Sequence, residues 1–342
     1  MCPAADKAAI PLALSSWAAE FLGRPADLIP LAGDGGSRRY WRLSGLSGST
    51  LAGKALLAMH GPDAAENRAW LNIGRHLKAL GLNLPEIRGY QPEWGFFILE
   101  DLGDSHLADS LKNGPSAEAE ELYGRTVRLM ADFHLKGLDG FQSGWCHQEP
   151  VYDAAMVEEK EIIYFLESFL AGYLKQPKPG PEIRREAALF SCEVAREAPA
   201  DVLIHRDFQS RNVLAAPNGP ALIDWQGARR GPAAYDLASL LNDPYVSIPP
   251  GWRERFIDIY LEAAGRRDVE KFRRELLFTG AARLMQNLGA YGKFCGEGKD
   301  FSAWMLPAAE RLAEHFKDPA LAGWPLLAGC AAAALNQLKS SC

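Results

Sequence analysis

Three polar positions between Leu203 and Asn242 are spaced for work on a phosphoryl group. His205-Arg206-Asp207 leads through Phe-Gln-Ser-Arg to Asn212, and Asp224 follows the apolar pair Leu222-Ile223. Moving a phosphoryl group off a nucleotide needs an acceptor hydroxyl aimed in line, magnesium across the phosphates and donors for the spreading charge. Apolar runs on either side of Asn218-Gly219 carry hairpin chemistry. Such a hairpin folds Asp224 back beside Asn212. An amide oxygen and a carboxylate brought together suit Mg²⁺, a hard cation that takes few protein oxygens and the rest from water and phosphate. The competing reading, a surface loop with incidental charges, needs three polar positions to fall at these offsets by chance.

Asp207 and Asn212 also fit the H-R-D-x-x-x-x-N catalytic loop of kinases. With Ser37-Arg38-Arg39-Tyr40-Trp41-Arg42 near the start and Arg230-Gly231-Pro232-Ala-Ala-Tyr235-Asp236 after the second acid, the chain resembles the aminoglycoside phosphotransferase family. Within that family it looks most like the bacterial N-acetylmuramate and N-acetylglucosamine kinases, over roughly residues 15 to 295. The resemblance implies an α+β, bilobal protein-kinase-like fold. A small N-terminal antiparallel-sheet lobe (residues 1–101) binds nucleotide, and a larger, mainly helical C-terminal lobe (residues 102–342) holds catalysis and acceptor. It implies ATP and Mg²⁺, with Asp207 accepting or orienting the acceptor proton and Asn212 and Asp224 as metal ligands. Free aspartate titrates near pH 4 and is a weak base at neutrality, so orientation dominates. His205 packs under the loop, and Asp236 bonds the loop backbone from a helix start. The implied acceptor is a small hydroxylated molecule, foremost an amino sugar at its anomeric hydroxyl. An aminoglycoside or choline-type acceptor is the alternative, and a catalytically silent nucleotide-binding interaction protein the alternative of another class.

The elements that position these groups are readable in outline. A helix is expected over 12–22, then the glycine run Gly33-Asp34-Gly35-Gly36-Ser37 and a strand over 39–43. Glycine lets backbone N–H groups approach phosphates, so Gly35, Gly36, Ser37 and Arg39 are candidate nucleotide contacts. The run departs from G-x-G-x-x-G because Arg38 stands in the last glycine's place, and a plain turn is the simpler alternative. Gly48-Ser-Thr-Leu-Ala-Gly53-Lys54 mimics a P-loop, but Ala55 follows where Ser or Thr must hold magnesium. Protein kinases carry a phosphate-binding lysine on the third strand. The matching register here falls near Met59, which leaves Lys54 and Glu66 as imperfect candidates and Arg38, Arg39 or Arg42 as other sources of charge. A helix over 64–80 follows, with Trp70, Ile73 and Leu77 on one face and Gly81 at its end. The strand over 95–100 leads into a hinge where the resemblance puts adenine on the backbone of Glu100 and Leu102, with Ile98 and Leu99 lining the pocket. Beyond it helices are expected over 116–137, 154–174, 182–197, 251–264 and 269–294. Asp243 and Tyr245, with Arg283, Gln286, Asn287 and Tyr291 on one helix, are candidate acceptor contacts; offsets of three and four put Arg283, Gln286 and Asn287 on one face. A solvated helix face is the alternative.

Composition excludes several classes. The 342 residues are 48% hydrophobic and 23% charged, which provides a sizeable core. A net charge of −6 argues against a nucleic-acid partner, whose phosphates demand basic patches. The six cysteines form no C-x-x-C pair, which predicts reduced thiols in a cytoplasmic protein. Residues 1–23 contain Pro11 and Glu20, unlike a secretion signal. The apolar stretch 319–335 is too short and too broken by Gly323, Pro325 and Gly329 for a membrane span and predicts a core helix pair. A monomer is expected.

Overall fold

The computed structural model describes residues 9–31, 37–44 and 55–341. Gly35, Gly36 and Lys54, with the rest of both glycine-rich runs apart from Ser37, lie outside them. Five strands, β1 (Asp27–Pro30), β2 (Arg39–Ser44), β3 (Leu56–His60), β4 (Ile87–Gln91) and β5 (Phe96–Glu100), form an antiparallel sheet in the order β1-β2-β3-β5-β4. Side chains alternate across a strand, so β5 divides its residues between two cores. Phe96 and Ile98 face α1 (Ala9–Leu22) with Trp41, Ala58 and Leu14, whereas Phe97 and Leu99 face the rest of the molecule. Ile98 therefore does not line the cleft between sheet and helices, where it was expected; Leu99 does.

Between β3 and β4 runs α2 (Ala64–Ala79), capped by Asp63, whose carboxylate accepts the Glu66 N–H. Trp70, Ile73 and Leu77 are buried, and Gly81 takes the left-handed φ of 79° that ends such a helix. These side chains join Met59, Phe97, Phe133, Phe208 and Trp225 in one core that crosses from the sheet into the helical part.

The helical part holds α3 (Ala117–Lys136), capped by Ser116, then α4 (Ala154–Val157) and α5 (Pro181–Glu197). After it come α6 (Ala233–Leu241), α7 (Pro250–Ala263), α8 (Val269–Gly296), α9 (Ser302–His315) and α10 (Pro325–Ser341). The helix expected over 154–174 is present but continues from α4 in widened π turns, Glu158–Ile162 and Phe165–Tyr173. It lies so close to α8 that a Cβ on Gly289 would stand 2.8 Å from the Tyr164 ring and one on Gly292 2.7 Å from the Ser168 carbonyl oxygen. The pair expected over 319–335 is a single 3-10 turn, Pro319–Leu321, followed by α10. Among the described residues no helix is long and apolar enough to cross a membrane.

Four short strands carry the chemistry-bearing loop. β6 (Val202–Ile204) pairs with β9 (Arg229–Gly231), and β7 (Val213–Ala216) pairs with β8 (Gly219–Leu222). The β7–β8 turn sits one residue earlier than the Asn-Gly signal indicates. Ala216 pairs with Gly219, so Pro217 and Asn218 form the turn and Gly219, at φ 115°, takes the left-handed position after it. Proline pre-sets the first turn residue and glycine serves the last.

Candidate active site

The loop after β6 is held from below by α6. Asp236 is fully buried and its carboxylate accepts the backbone N–H groups of His205 at 2.6 Å and Arg206 at 2.9 Å. His134, itself bonded to the Tyr260 hydroxyl, lies 3.1 Å from the same carboxylate, so it is a packed histidine and no ligand. Arg206 has φ 75°, unusual for a residue with a side chain and costing about 1–2 kcal/mol, and the two bonds to Asp236 keep it there. The His205 ring bonds the Ile223 carbonyl and lies between Phe133 and Phe208.

Asp207 stands at the tip of this loop. Arg283 Nη2 donates to its Oδ1 at 2.9 Å, while the Asp207 side chain stays 36% exposed. Burial works to raise this carboxyl, but Arg283, Arg206 and His205 outweigh it and hold it below the usual carboxylate range. The Asn212 amide nitrogen donates to the Asp207 carbonyl at 2.9 Å, which leaves the amide oxygen for a ligand. The backbone N–H of Ile223 donates to the Asn212 carbonyl at 3.1 Å, so the hairpin returns the chain next to Asn212, and Asp224 comes directly after. Asp224 is held at φ 65°. Its Oδ1 accepts from Arg38 at 3.1 Å and from Gln226 at 3.0 Å, and Oδ2 is the oxygen left for a cation. One amide and one carboxylate oxygen make a hard donor set of the magnesium kind.

Asn212 and Asp224 open into a cleft of about 650 Å³ between the sheet and the helical part. Leu57, Trp70, Leu99, Leu102 and Leu214 give it apolar walls; Ser37, Arg38 and Glu100 also line it. Arg38 is buried, with Nη2 3.1 Å from Glu66 and Nη1 on Asp224. It joins the α2 glutamate to the second acid. Arg39 is not among the residues lining the cleft. It precedes Tyr40, which lines the cleft from the same strand, so its side chain leaves on the opposite face. Arg42 instead clamps β2 to the hinge through Asp101 and Asp104.

The structure redistributes the expected acceptor contacts. Asp243 is buried, and both its oxygens serve the loop: Oδ2 accepts the Ser210 N–H and hydroxyl and Oδ1 accepts the Tyr245 N–H. Burial pushes its carboxyl up against those donors. Asp243 therefore braces the loop that carries Asn212, and at 1% exposure it is turned away from solvent. Arg283 is 1% exposed and bonded to Asp207; Asn287 is also buried, and Gln286, which accepts from Arg283 at 2.7 Å, is the member of the trio nearest solvent. Two residues went unnoticed in the sequence. Arg211 lies with its guanidinium carbon 4.1 Å from the Tyr245 ring centroid and 5.0 Å from that of Trp304. Its position beside Asn212 was the available signal. Glu161, fully buried on the first π turn, could have been noticed as an acid next to the apolar pair Ile162-Ile163.

A five-stranded sheet over a helical part, with Asn212 and Asp224 lining the cleft and Asp207 bonded to Asn212 on the same loop, is the architecture of the kinase-like phosphotransferases. The solved structures agree on the fold. A choline/ethanolamine kinase family protein from Mesorhizobium loti superposes with a TM-score of 0.59 at 13% identity, covering 96% of this chain and 99% of that one. An ADP-bound aminoglycoside phosphotransferase gives 0.57 at 12% identity, covering 88% and 96%. The chain belongs to the phosphotransferase enzyme family (APH), whose family model matches residues 27–274. Curated relatives include N-acetylmuramate/N-acetylglucosamine kinases from Pseudomonas aeruginosa, 28% identical over 280 residues and 79% of this chain and 78% of that one, and from Neisseria meningitidis serogroup B, 26% identical over 299 residues and 81% of each chain.

Proposed function

We propose that this protein transfers the γ-phosphoryl group of ATP to the anomeric hydroxyl of an N-acylated amino sugar, N-acetylmuramate or N-acetylglucosamine. The observation that carries the reading is that Asn212 and Asp224 line the cleft together, with Asp207 on the same loop and tied to Asn212 through its carbonyl. In this reading Asp207 orients the acceptor hydroxyl, its lowered carboxyl keeping it ionised and ready to accept that hydrogen bond. Asn212 and Asp224 would hold Mg²⁺, which supplies charge neutralisation along the phosphates. Arg38 adds positive charge at the same floor and fixes Asp224. Glu100 and Leu102 would meet the adenine edge with their backbone, residues 1–101 covering the nucleotide and 102–342 carrying the acceptor. The four described cysteines are free thiols, which supports a cytoplasmic setting.

The relatives' names support the choice of sugar, and the acceptor side favours it over a cationic acceptor. A quaternary ammonium or aminoglycoside ammonium seeks aromatic faces and carboxylates. Here Arg211 already covers Tyr245 and Trp304, and Asp243 is spent on Ser210. The deciding experiment is ADP release with ATP and Mg²⁺ across N-acetylmuramate, N-acetylglucosamine, kanamycin and choline. Turnover confined to the amino sugars is expected. Turnover on kanamycin or choline alone would overturn the sugar assignment, and ADP release with none of them would favour a silent nucleotide-binding protein.

A further inference from the structure

We infer that Arg283 is a positioning residue for phosphoryl transfer: its buried guanidinium grips Asp207 by Oδ1 so that Oδ2 is presented to the acceptor, while Tyr235 and Glu161 hold the guanidinium in place. The inference rests on Asp207 being the group that orients the acceptor.

The bonds define the geometry. Arg283 Nε donates to Ser239 Oγ at 3.1 Å, Nη1 donates to the Tyr235 hydroxyl at 3.3 Å and to Gln286 Oε1 at 2.7 Å, and Nη2 alone is turned to Asp207 at 2.9 Å. A guanidinium is planar, so partners on two edges fix the direction of the third. Tyr235 gives its one proton to Glu161 Oε1 at 2.9 Å, which leaves its oxygen to accept from Arg283. Glu161 takes a second hydroxyl, from Tyr152, at 2.7 Å. Both glutamate oxygens are thus occupied, and Glu161 and Asp207 flank a cation that is 1% exposed. Burying a lone guanidinium costs several kcal/mol, so a cation here without anions would not persist. One helix, α6, anchors both parts of the aspartate. Its Asp236 holds the loop backbone at His205 and Arg206, and its Tyr235 and Ser239 hold the arginine that holds the Asp207 side chain. Backbone and side chain of the same aspartate are therefore registered to a single rigid element, which is what an in-line hydroxyl requires.

The test uses the full chain and ADP release with the best amino sugar of the panel, comparing Arg283→Met, Arg283→Lys, Tyr235→Phe, Asp207→Asn and the double variant Asp207→Asn/Arg283→Met. A misplaced catalytic group costs about 10²-fold, so Arg283→Met should lower kcat by about that factor with KM for ATP within about twofold, and Arg283→Lys should recover part of the loss. Tyr235→Phe, which deletes one oxygen and keeps the ring, should lower kcat by about tenfold; it carries the test if Arg283→Met fails to fold. Because Arg283 acts through Asp207, the double variant should be no slower than Asp207→Asn alone. Multiplicative losses in the double variant, or a raised acceptor KM at unchanged kcat, would overturn the inference. Wild-type turnover by Asp207→Asn would instead remove the reading of Asp207 on which the inference rests.

Discussion

Replacing Asp236 with asparagine changes no volume and tests whether α6 sets the loop conformation. The carboxylate accepts two backbone N–H groups, at 2.6 and 2.9 Å, and lies 3.1 Å from His134. An asparagine turns one of those acceptors into a donor facing an N–H. The loss combines one charge-assisted hydrogen bond, about 1.5–3 kcal/mol, with one buried backbone donor left unpaired, about 1–3 kcal/mol, so a destabilisation of about 2.5–6 kcal/mol is expected. Scaled by the usual unfolding entropy per residue over 342 residues, this lowers Tm by about 3.5–8 °C. Arg206 at φ 75° then loses the bonds that keep it in the left-handed region and relaxes, carrying Asp207 with it. Turnover should fall by about 10²-fold, as for any displaced reacting group. Urea unfolding and ADP release on the same preparation measure both quantities. Asp236→Asn with wild-type stability and turnover would refute the claim that this carboxylate holds the loop.

Asp243→Asn should lower kcat and leave the acceptor KM unchanged, because its oxygens hold Ser210 and Tyr245; a raised acceptor KM alone would return Asp243 to the sugar site. Gly74→Ala puts a Cβ 2.7 Å from the Trp225 indole, so it should destabilise by about 1–3 kcal/mol and, by displacing the residue after Asp224, raise the Mg²⁺ concentration for half-maximal activity. An unchanged Mg²⁺ titration would count against that coupling. Desolvation of the ring holds His315 below the usual imidazole range, only partly countered by the Arg311 carbonyl. The unfolded chain therefore binds that proton more readily, and stability should be level above about pH 6.5 and fall below it, by up to about 1.4 kcal/mol per pH unit. His315→Gln should flatten the decline; urea midpoints at pH 7.5 and 5.5 that fall equally in both proteins would dismiss the assignment.

What could be read from the sequence was what is local. Asp207, Asn212 and the hairpin lie within a few residues of one another, and helix signals such as Ser116 and Asp63 act on the N–H three positions ahead. The grip of Arg283 on Asp207 spans 76 positions and depends on how α8 lies against α6, which no spacing encodes. The same holds for Asp243, a sugar contact by position in the chain and a brace by its surroundings. The turn at Pro217-Asn218 and the split of Ile98 from Leu99 are errors of a different kind, one residue of register each, because periodicity fixes the alternation and leaves its phase open. Arg38 belongs to the first sort: its charge was noticed, but its partners Glu66 and Asp224 lie 28 and 186 positions away.

The indoles of Trp70 and Trp225 stack with centroids 4.7 Å apart, and Trp225 donates to the Trp70 carbonyl at 2.8 Å. Arg38 adds a second rivet between the same helix and the residue before Trp225. Swinging this helix outward would mean letting go of the Asp224 end of the hairpin. Here letting go would tear apart an aromatic pair and expose a guanidinium that is buried with its partners. The helix and the Asp224 end of the hairpin are thus built to travel as one piece.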